Sequence, residues 1–234
     1  MRGRSVSVVI ATFNEEECIE ECLNEVFKAL PQCEAIVVHG GNDRTADIAR
    51  TYGAQGARVT VIENHPDFGK GHAIRIGGNA ARGDFVAEFD ADLQFDAMDL
   101  QKVLEPLVED RLDVTLGSRF MRSSTRGPGS TPAFRSYGNY TASLYSSFWS
   151  GQRFTDVQAG IKAWTKHAWR VIDIESDNYS YEAEIAVKAA QRGLRVGDVP
   201  IRTYARRGGA TKVNVVWDGL RLLKDITLFG SRLR

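Results

Sequence analysis

Cysteine is scarce in this 234-residue sequence, and neither sign of charge is in excess. The three cysteines, Cys18, Cys22 and Cys33, show no zinc-ligand spacing and indicate buried thiols in a reducing compartment. Thirty basic residues balance thirty acidic ones, which argues against a nucleic-acid partner. No run of about 18 apolar residues predicts a membrane span, and no signal-peptide apolar region precedes Val6. We therefore expect a soluble chain that at most lies on a membrane.

The first half of the sequence alternates strand-like with helix-like segments. Four such strands with three intervening helices within about ninety residues predict a doubly wound, Rossmann-like α/β sheet with right-handed crossovers. Ligands in such sheets bind beyond the carboxyl ends of the strands, which directs attention to residues 12–15, 39–43 and 90–94. The predicted strands are 5–12, 34–39, 58–63 and 84–89, and the predicted helices are 14–30, 43–52 and 70–82.

The second half is less regular. A helix at 98–108 is expected to be interrupted by Pro106, and residues 118–132 form a long loop rich in Ser, Gly, Pro and Arg. Loops of that length are usually functional or disordered. No linker or internal repeat divides the chain, so we expect one domain. The other predicted elements are strands 113–117, 161–164 and 194–204 and helices 133–149 and 182–192.

The sharpest chemical signal is the segment Asp90-Ala91-Asp92-Leu93-Gln94 after a buried strand. Two carboxylates at i and i+2 on such a turn can converge on one hard divalent cation, with the Gln94 amide as a further oxygen ligand. A metal there would neutralise a diphosphate leaving group. The alternative is an acidic strand end that caps the helix near Asp96.

With this segment, the sequence resembles the family 2 glycosyltransferases of the GT-A fold, and among them the dolichyl- or polyprenyl-phosphate mannose and glucose synthases. The resemblance is carried by DADLQ at 90–94, TFNE at 12–15 and GKG at 69–71. It covers almost the whole chain. Further matching segments are GSRF at 117–120, GN at 138–139, GIKA at 160–163, YEAEI at 181–185, VPI at 199–201 and WDG at 217–219.

The resemblance implies a sugar-nucleotide site. It implies that Asp90, Asp92 and Gln94 hold Mg²⁺ or Mn²⁺ on the diphosphate. For Glu15 the alternative is a first-turn acidic residue that matches the helix dipole. The nucleotide-binding residues that it implies are Thr12, Asn14, Glu15, His39, Asp43, Lys70, Asp90 and Ala91.

One departure from the family concerns the base. The family usually carries two adjacent Asp residues after the second strand, and one of them reads the base. Here His39 and Gly40 stand in their place, while Asp43 remains. A neutral His cannot reproduce an anionic acceptor, so the identity of the nucleotide stays open.

A second signal is the lack of Asp, Glu and Lys from 114 to 155, where five arginines occur. Arginine matches phosphate geometry, and an acid-free surround is expected to leave these side chains unpaired. We therefore predict that Arg119 and Arg135 bind an acceptor phosphate, which the resemblance implies is a lipid phosphate. Asp156 is expected to orient the sugar or the acceptor. Asp92, Asp156, Arg119 and Arg135 form the predicted catalytic set.

A glycine-containing basic segment, ARRGGATK at 205–212, follows the last predicted strand. Its Arg206 and Lys212 are expected to close over the diphosphate once the donor is bound. The alternative is a solvated charge run.

The expected activity is metal-dependent, inverting transfer of mannose or glucose from GDP-mannose or UDP-glucose to a polyprenyl or dolichyl phosphate. An ionised phosphate acceptor needs little general base, because its second pKa is about 6. Two alternatives stay open: transfer to a saccharide or protein hydroxyl, and a non-catalytic nucleotide-sugar-binding subunit.

The C-terminal residues 214–234 are predicted to form a basic amphipathic helix that follows the catalytic domain, 1–213. Residues 201–234 contain eight basic residues against two acidic ones. The expectation is peripheral attachment to the cytoplasmic face of a membrane, with a membrane-anchoring partner or a homo-oligomer left open. The alternative is that this helix packs on the core. Its predicted apolar arc is Val216, Leu220, Leu222, Leu223, Ile226 and Phe229.

Overall fold

Helices cover both faces of a seven-stranded sheet in the computed structural model, which describes residues 3–130, 132–207 and 215–232. Of the side chains at 133, 135, 215–218 and 232, nothing is described. The strands are β1 (Val6–Thr12), β2 (Glu34–His39), β3 (Val59–Glu63), β4 (Phe85–Phe89), β5 (Val114–Ser118), β6 (Thr125–Arg126), β7 (Ile161–Thr165), β8 (Val196–Pro200) and β9 (Arg202–Thr203). The helices are α1 (Ile19–Ala29), α2 (Thr45–Ala54), α3 (Lys70–Ala80), α4 (Asp99–Val108), α5 (Ala133–Ser150), α6 (Lys166–Ile172), α7 (Tyr181–Gln191) and α8 (Val215–Arg232).

The large sheet has the strand order β3-β2-β1-β4-β7-β5-β8. All neighbouring strands are parallel except β7, which runs antiparallel to both β4 and β5. The doubly wound mixed α/β fold expected from the sequence is therefore confirmed. The carboxyl ends of β1, β2, β3 and β4 lie at one edge, where the sequence motifs follow the strands.

Two apolar layers hold the helices on the sheet. Helices α1, α2 and α4 pack on one face, and α3, α6 and α7 pack on the other. Full burial of a Leu, Ile or Val side chain stabilises the folded state by about 1.5–3 kcal/mol. The apolar side chains on both faces of the strands therefore hold a layer of helices on each face of the sheet. Cys18, Cys22 and Cys33 are free thiols buried in the first layer, as predicted.

Three predictions about elements were wrong. Helix α4 continues through Pro106 to Val108, because packing of its buried apolar face outweighs the one backbone hydrogen bond that the proline cannot donate. The strand predicted at 194–204 divides after Pro200, because β5 ends at Ser118 and the chain then pairs with β6. The predicted loop at 118–132 contains that short strand β6. Helix α6 was not anticipated.

Helix α8 packs against α5 and α7 through one face. Ile226 and Phe229 are buried there, and Gly230 lies so close to Trp149 that a Cβ would be 2.6 Å from its ring. The face of α8 that carries Ile226 and Phe229 therefore packs on the core, which was the alternative to membrane attachment. The proposed boundary at residue 213 lies outside the described residues. None of the described helices combines the length and the hydrophobicity that a membrane span requires.

Candidate active site

A cleft of about 440 Å³ opens at the carboxyl ends of the central strands. Its position is the one that the rule for open α/β sheets predicts. Its lining also includes Gly40, Asn64, Asp67, Gln158 and Glu182, which were not among the predicted site residues. The predicted site residues that line the cleft are Thr12, Glu15, Lys70, Asp90, Ala91, Asp92, Gln94, Arg119 and Arg206.

The turn after β4 presents Asp90 and Asp92 to this cleft. Leu93 has a positive φ of 57°, and the backbone N–H of Gln94 donates to Oδ1 of Asp92 at 3.1 Å. Opposite them, a Cβ on Gly160 would lie 1.9 Å from Oδ2 of Asp90. Only glycine leaves room for the carboxylate at that point.

Lys70 neutralises part of the negative charge around this turn. Its Nζ lies 2.7 Å from Oδ1 of Asp90, 3.2 Å from Oε1 of Glu88 and 3.3 Å from Oε1 of Glu182. Burial alone would lower the pKa of Lys70, but these carboxylates and Tyr181 raise it well above its usual value. The predicted nucleotide-binding lysine is therefore a fixed cation beside the acidic turn.

Beneath the cleft lies a buried ionic cluster that the sequence reasoning missed. Glu88 on β4 lies opposite Lys162 on β7 in the antiparallel register, with Lys162 Nζ 3.9 Å from Oε2 of Glu88. The hydroxyl of Tyr181 donates to Oε1 of Glu88, and Lys162 donates to the carbonyl of Ala159. The available signal was one charged residue inside each of two otherwise apolar strands.

Glu15 and Arg206 close the β1 side of the acidic turn. Arg206 bridges two carboxylates, with Nη2 3.4 Å from Oε1 of Glu15 and Nε 3.2 Å from Oδ2 of Asp92. Burial raises the pKa of Glu15 to about 7; Arg206 opposes this rise, while Asp92 and Asp90 add to it. Lys212, predicted to act with Arg206, lies outside the described residues.

The donor set at this turn fits a hard divalent cation. Asp90 and Asp92 supply carboxylate oxygens, and their negative charge adds to the rise in the pKa of Glu15 that burial mainly causes. Mg²⁺ is usually held by one or two carboxylates together with substrate phosphates. Correspondingly, in the described part of the chain no group of three His, Cys, Asp or Glu forms an all-protein site. The amide nitrogen of Gln94 donates to the carbonyl of Ser130.

Arg119 is not unpaired, which corrects the prediction drawn from the acid-free stretch. Its Nε and Nη2 lie 2.7 and 2.9 Å from the two carboxylate oxygens of Asp156. The carboxylate comes from just beyond that stretch, so the local composition did not reveal it. Asp156 is fully buried and also accepts backbone hydrogen bonds from Arg119 and Gln158. It holds Arg119 at the cleft wall and does not itself line the cleft. The side chain of Arg135 lies outside the described set.

Three predicted nucleotide-binding residues, Asn14, His39 and Asp43, do not line the cleft. His39 is buried, with Nδ1 3.2 Å from Oγ1 of Thr12, and burial lowers its pKa. Asp43 accepts hydrogen bonds from the backbone and hydroxyl of Thr45. Asn14 has a positive φ of 54° and accepts a backbone hydrogen bond from the neighbouring loop. These side chains make hydrogen bonds within and between the segments that end β1 and β2.

Comparisons with known proteins agree with this geometry. Residues 7–163 match the family model described as Glycosyl transferase family 2. Over 223 residues the chain is 31% identical to the low-salt glycan biosynthesis hexosyltransferase Agl6 of Haloferax volcanii, covering 93% of this chain but only 52% of that protein. Over 223 residues it is also 31% identical to the dolichyl-phosphate hexose transferase of the same organism, covering 94% of this chain and 92% of that protein.

Among solved structures, the fold resembles that of glucosyl-3-phosphoglycerate synthase from Mycobacterium tuberculosis, crystallised with Mn²⁺, uridine diphosphate and glucosyl-3-phosphoglycerate. The TM-score is 0.70 at 20% identity, with 97% of this chain and 78% of that chain covered. At that identity the likeness shows the shared fold.

Proposed function

Because the chain belongs to glycosyl transferase family 2, we propose that it transfers a hexose from a nucleotide sugar to a polyprenyl or dolichyl phosphate. The hexose is mannose or glucose, carried by GDP or UDP, and its configuration inverts. The observation that carries the acceptor assignment is the Arg119–Asp156 pair at the cleft wall. Asp156 is the carboxylate expected near the acceptor, and both its oxygens already bind Arg119, which leaves a cation facing the acceptor instead of a base.

The proposed reaction is a direct displacement. An oxygen of the acceptor phosphate attacks the anomeric carbon, and the bond from that carbon to the diphosphate breaks with its electron pair leaving on the nucleotide. The acceptor needs no proton removed at neutral pH, because the second pKa of a phosphate monoester is about 6. Mg²⁺ or Mn²⁺ held by Asp90 and Asp92, with Gln94, would neutralise the diphosphate that leaves. Arg206, together with Lys212, is assigned to the same diphosphate.

The lipid acceptor requires contact with a membrane surface, and α5 supports this part of the proposal. Pro132, Gly138 and Asn139 line the cleft at the start of α5. The same helix contains no acidic residue and exposes apolar side chains that continue away from the cleft. A large exposed apolar patch next to a binding cleft is typical of an interaction surface. The exposed side chains are Phe134 (66%), Tyr137 (73%), Tyr140 (56%), Leu144 (60%) and Phe148 (65%). We assign the protein a peripheral position on the cytoplasmic membrane face.

The test compares two acceptors that differ only in the phosphate. The protein is incubated with Mn²⁺ and GDP-mannose or UDP-glucose, and with a short polyprenyl phosphate or the corresponding polyprenol. We expect a glycolipid product with the polyprenyl phosphate and none with the polyprenol. Asp92→Asn should lower the rate by more than about 100-fold, since even residues that only support metal ligands cost 10–100-fold. Asp47→Asn, an exposed change on α2 outside the cleft, is the control. Equal transfer to the polyprenol would overturn the acceptor assignment, and no product with either donor would overturn the activity.

A further inference from the structure

The cleft extends from the acidic turn to a polar recess at the ends of β2 and β3. Gly40, Asn64 and Asp67 line this recess. The backbone N–H of Asn64 donates to the carbonyl of His39 at 2.8 Å, so the end of β3 is tied to the end of β2. None of the residues assigned above to the metal, the diphosphate or the acceptor belongs to this recess.

Asn64 lines the recess and carries a buried polar group that has no partner among the described residues. The side chain is only 4% exposed, and Oδ1 lies 2.8 Å from Nδ1 of His72. The other end of the amide, Nδ2, has no hydrogen-bond partner among the residues that the structure describes. A buried donor left without an acceptor is costly, so native proteins seldom keep one unless a ligand or water satisfies it.

Asp67 brings a carboxylate to the position beside Gly40. A Cβ on Gly40 would lie 3.0 Å from both Cγ and Oδ1 of Asp67, so the acidic group fills the space next to the missing side chain. The backbone N–H of Gly69 donates to Oδ1 at 2.9 Å and orients the carboxylate. The two adjacent Asp residues that the family usually carries after β2 are absent from this sequence. The carboxylate of Asp67, from the loop between β3 and α3, lies at that place instead.

The recess lies at a suitable distance from the diphosphate. β1 separates β2 from β4 in the sheet. Since neighbouring strands are about 4.8 Å apart, the ends of β2 and β3 lie about 10 and 14 Å from the end of β4. A nucleotide held by its diphosphate at Asp90 and Asp92 can extend across Thr12 to place its base there. On the other side of β4, Arg119 lines the part of the cleft that is assigned to the acceptor.

We propose that Asp67 and Asn64 read the nucleobase of the donor, an inference that rests on the proposed use of a nucleotide sugar. Asp67 accepts a hydrogen bond from a ring N–H, and the Asn64 amide donates to the adjacent ring carbonyl. Uracil and guanine both present this pair. Adenine and cytosine present a ring nitrogen lone pair instead, which the carboxylate repels. The site therefore selects a uridine or guanosine diphosphate sugar.

Calorimetric titration of UDP, GDP, CDP and ADP in the presence of Mn²⁺ tests this site without any need for turnover. We expect UDP or GDP to bind at least tenfold more tightly than CDP and ADP. Whichever of UDP and GDP binds more tightly identifies the base of the donor. In Asp67→Asn, the affinity for the preferred nucleotide should fall at least tenfold. The difference in affinity between this nucleotide and CDP or ADP should become smaller. Inorganic pyrophosphate with Mn²⁺ should bind Asp67→Asn as tightly as the unchanged protein.

The matched control is Asp47→Asn, which removes an exposed carboxylate outside the cleft and should alter none of these affinities. If Asp67→Asn keeps the full preference, or weakens pyrophosphate as much as nucleotide, the base-reading role is overturned. If none of the four nucleotides binds the unchanged protein, the proposed function itself fails. These outcomes are therefore distinguishable.

Discussion

A buried arginine that gives two nitrogens to one carboxylate has little freedom to move. Arg119 is held in this way by Asp156, and its backbone N–H donates to the same carboxylate at 3.0 Å. Burial alone would lower the pKa of Arg119, but Asp156 raises it. The guanidinium thus stays charged at the cleft wall, where an anionic acceptor is proposed to bind.

Removal of Asp156 should reveal this dependence. Asp156→Ala leaves Arg119 buried without its partner, and breaking such a pair costs about 3–5 kcal/mol. We expect the free energy of unfolding, measured in urea, to fall by an amount of this order. Arg50→Ala, which breaks the exposed ion pairs of Arg50 with Asp47 and Glu63, is the control and should change little. Equal small losses in both variants would show that the buried pair is not structurally important.

The sequence identified some site residues because a local motif and a strand end coincide. Asp90, Asp92 and Glu15 follow apolar strands directly, so their place at the cleft could be predicted without knowing the strand order. Lys162 could not be assigned, because its role depends on β7 lying antiparallel beside β4. Asp67 was missed for a similar reason, since only the folded loops bring it next to Gly40.

At the scale of elements, α5 and α8 are the two candidates for the helix that contacts a membrane. The sequence favoured α8 for its basic amphipathic pattern, but the structure buries Ile226 and Phe229 of that helix. Among the described side chains of α8, Leu220 and Leu228 are large, apolar and exposed, whereas the described side chains of α5 include a longer exposed series.

We predict that α5 makes the larger contribution to membrane binding. The change Leu144→Ser with Phe148→Ser should strongly reduce flotation with vesicles containing anionic lipid, because apolar insertion is lost. The matched change on α8, Leu220→Ser with Leu228→Ser, should reduce it less. Flotation at low and high salt measures the electrostatic share. A greater loss of vesicle flotation in the α8 variant than in the α5 variant would show that α8 makes the larger membrane contact.

Element prediction succeeded where the apolar runs are nearly continuous. The strands β1, β2 and β4 appear within one or two residues of their expected bounds. What the runs do not encode is order: nothing in the segment 161–164 shows that it inserts between β4 and β5 in the opposite direction. Tertiary pairing also decides the division of the last strand after Pro200.

For the whole molecule, the cleft joins distant parts of the chain. Lys70 on α3 contacts Glu182 on α7, and Arg206 contacts Glu15 near the start. A ligand that spans the cleft therefore binds only when these parts are assembled. Such a ligand stabilises the native state by mass action, since the unfolded chain offers no equivalent site.

The last prediction concerns this linkage. At a free concentration 100 times the dissociation constant, a nucleoside diphosphate with Mn²⁺ should stabilise the fold by about 2.7 kcal/mol, which raises Tm by about 5–10 °C for a chain of this size. Addition of EDTA should remove most of the shift, because the carboxylates at Asp90 and Asp92 repel a diphosphate that has no cation beside it. Asp92→Asn should show a smaller metal-dependent shift than the unchanged protein. A shift of the same size with EDTA present would mean that Arg206 and its neighbours hold the diphosphate without metal.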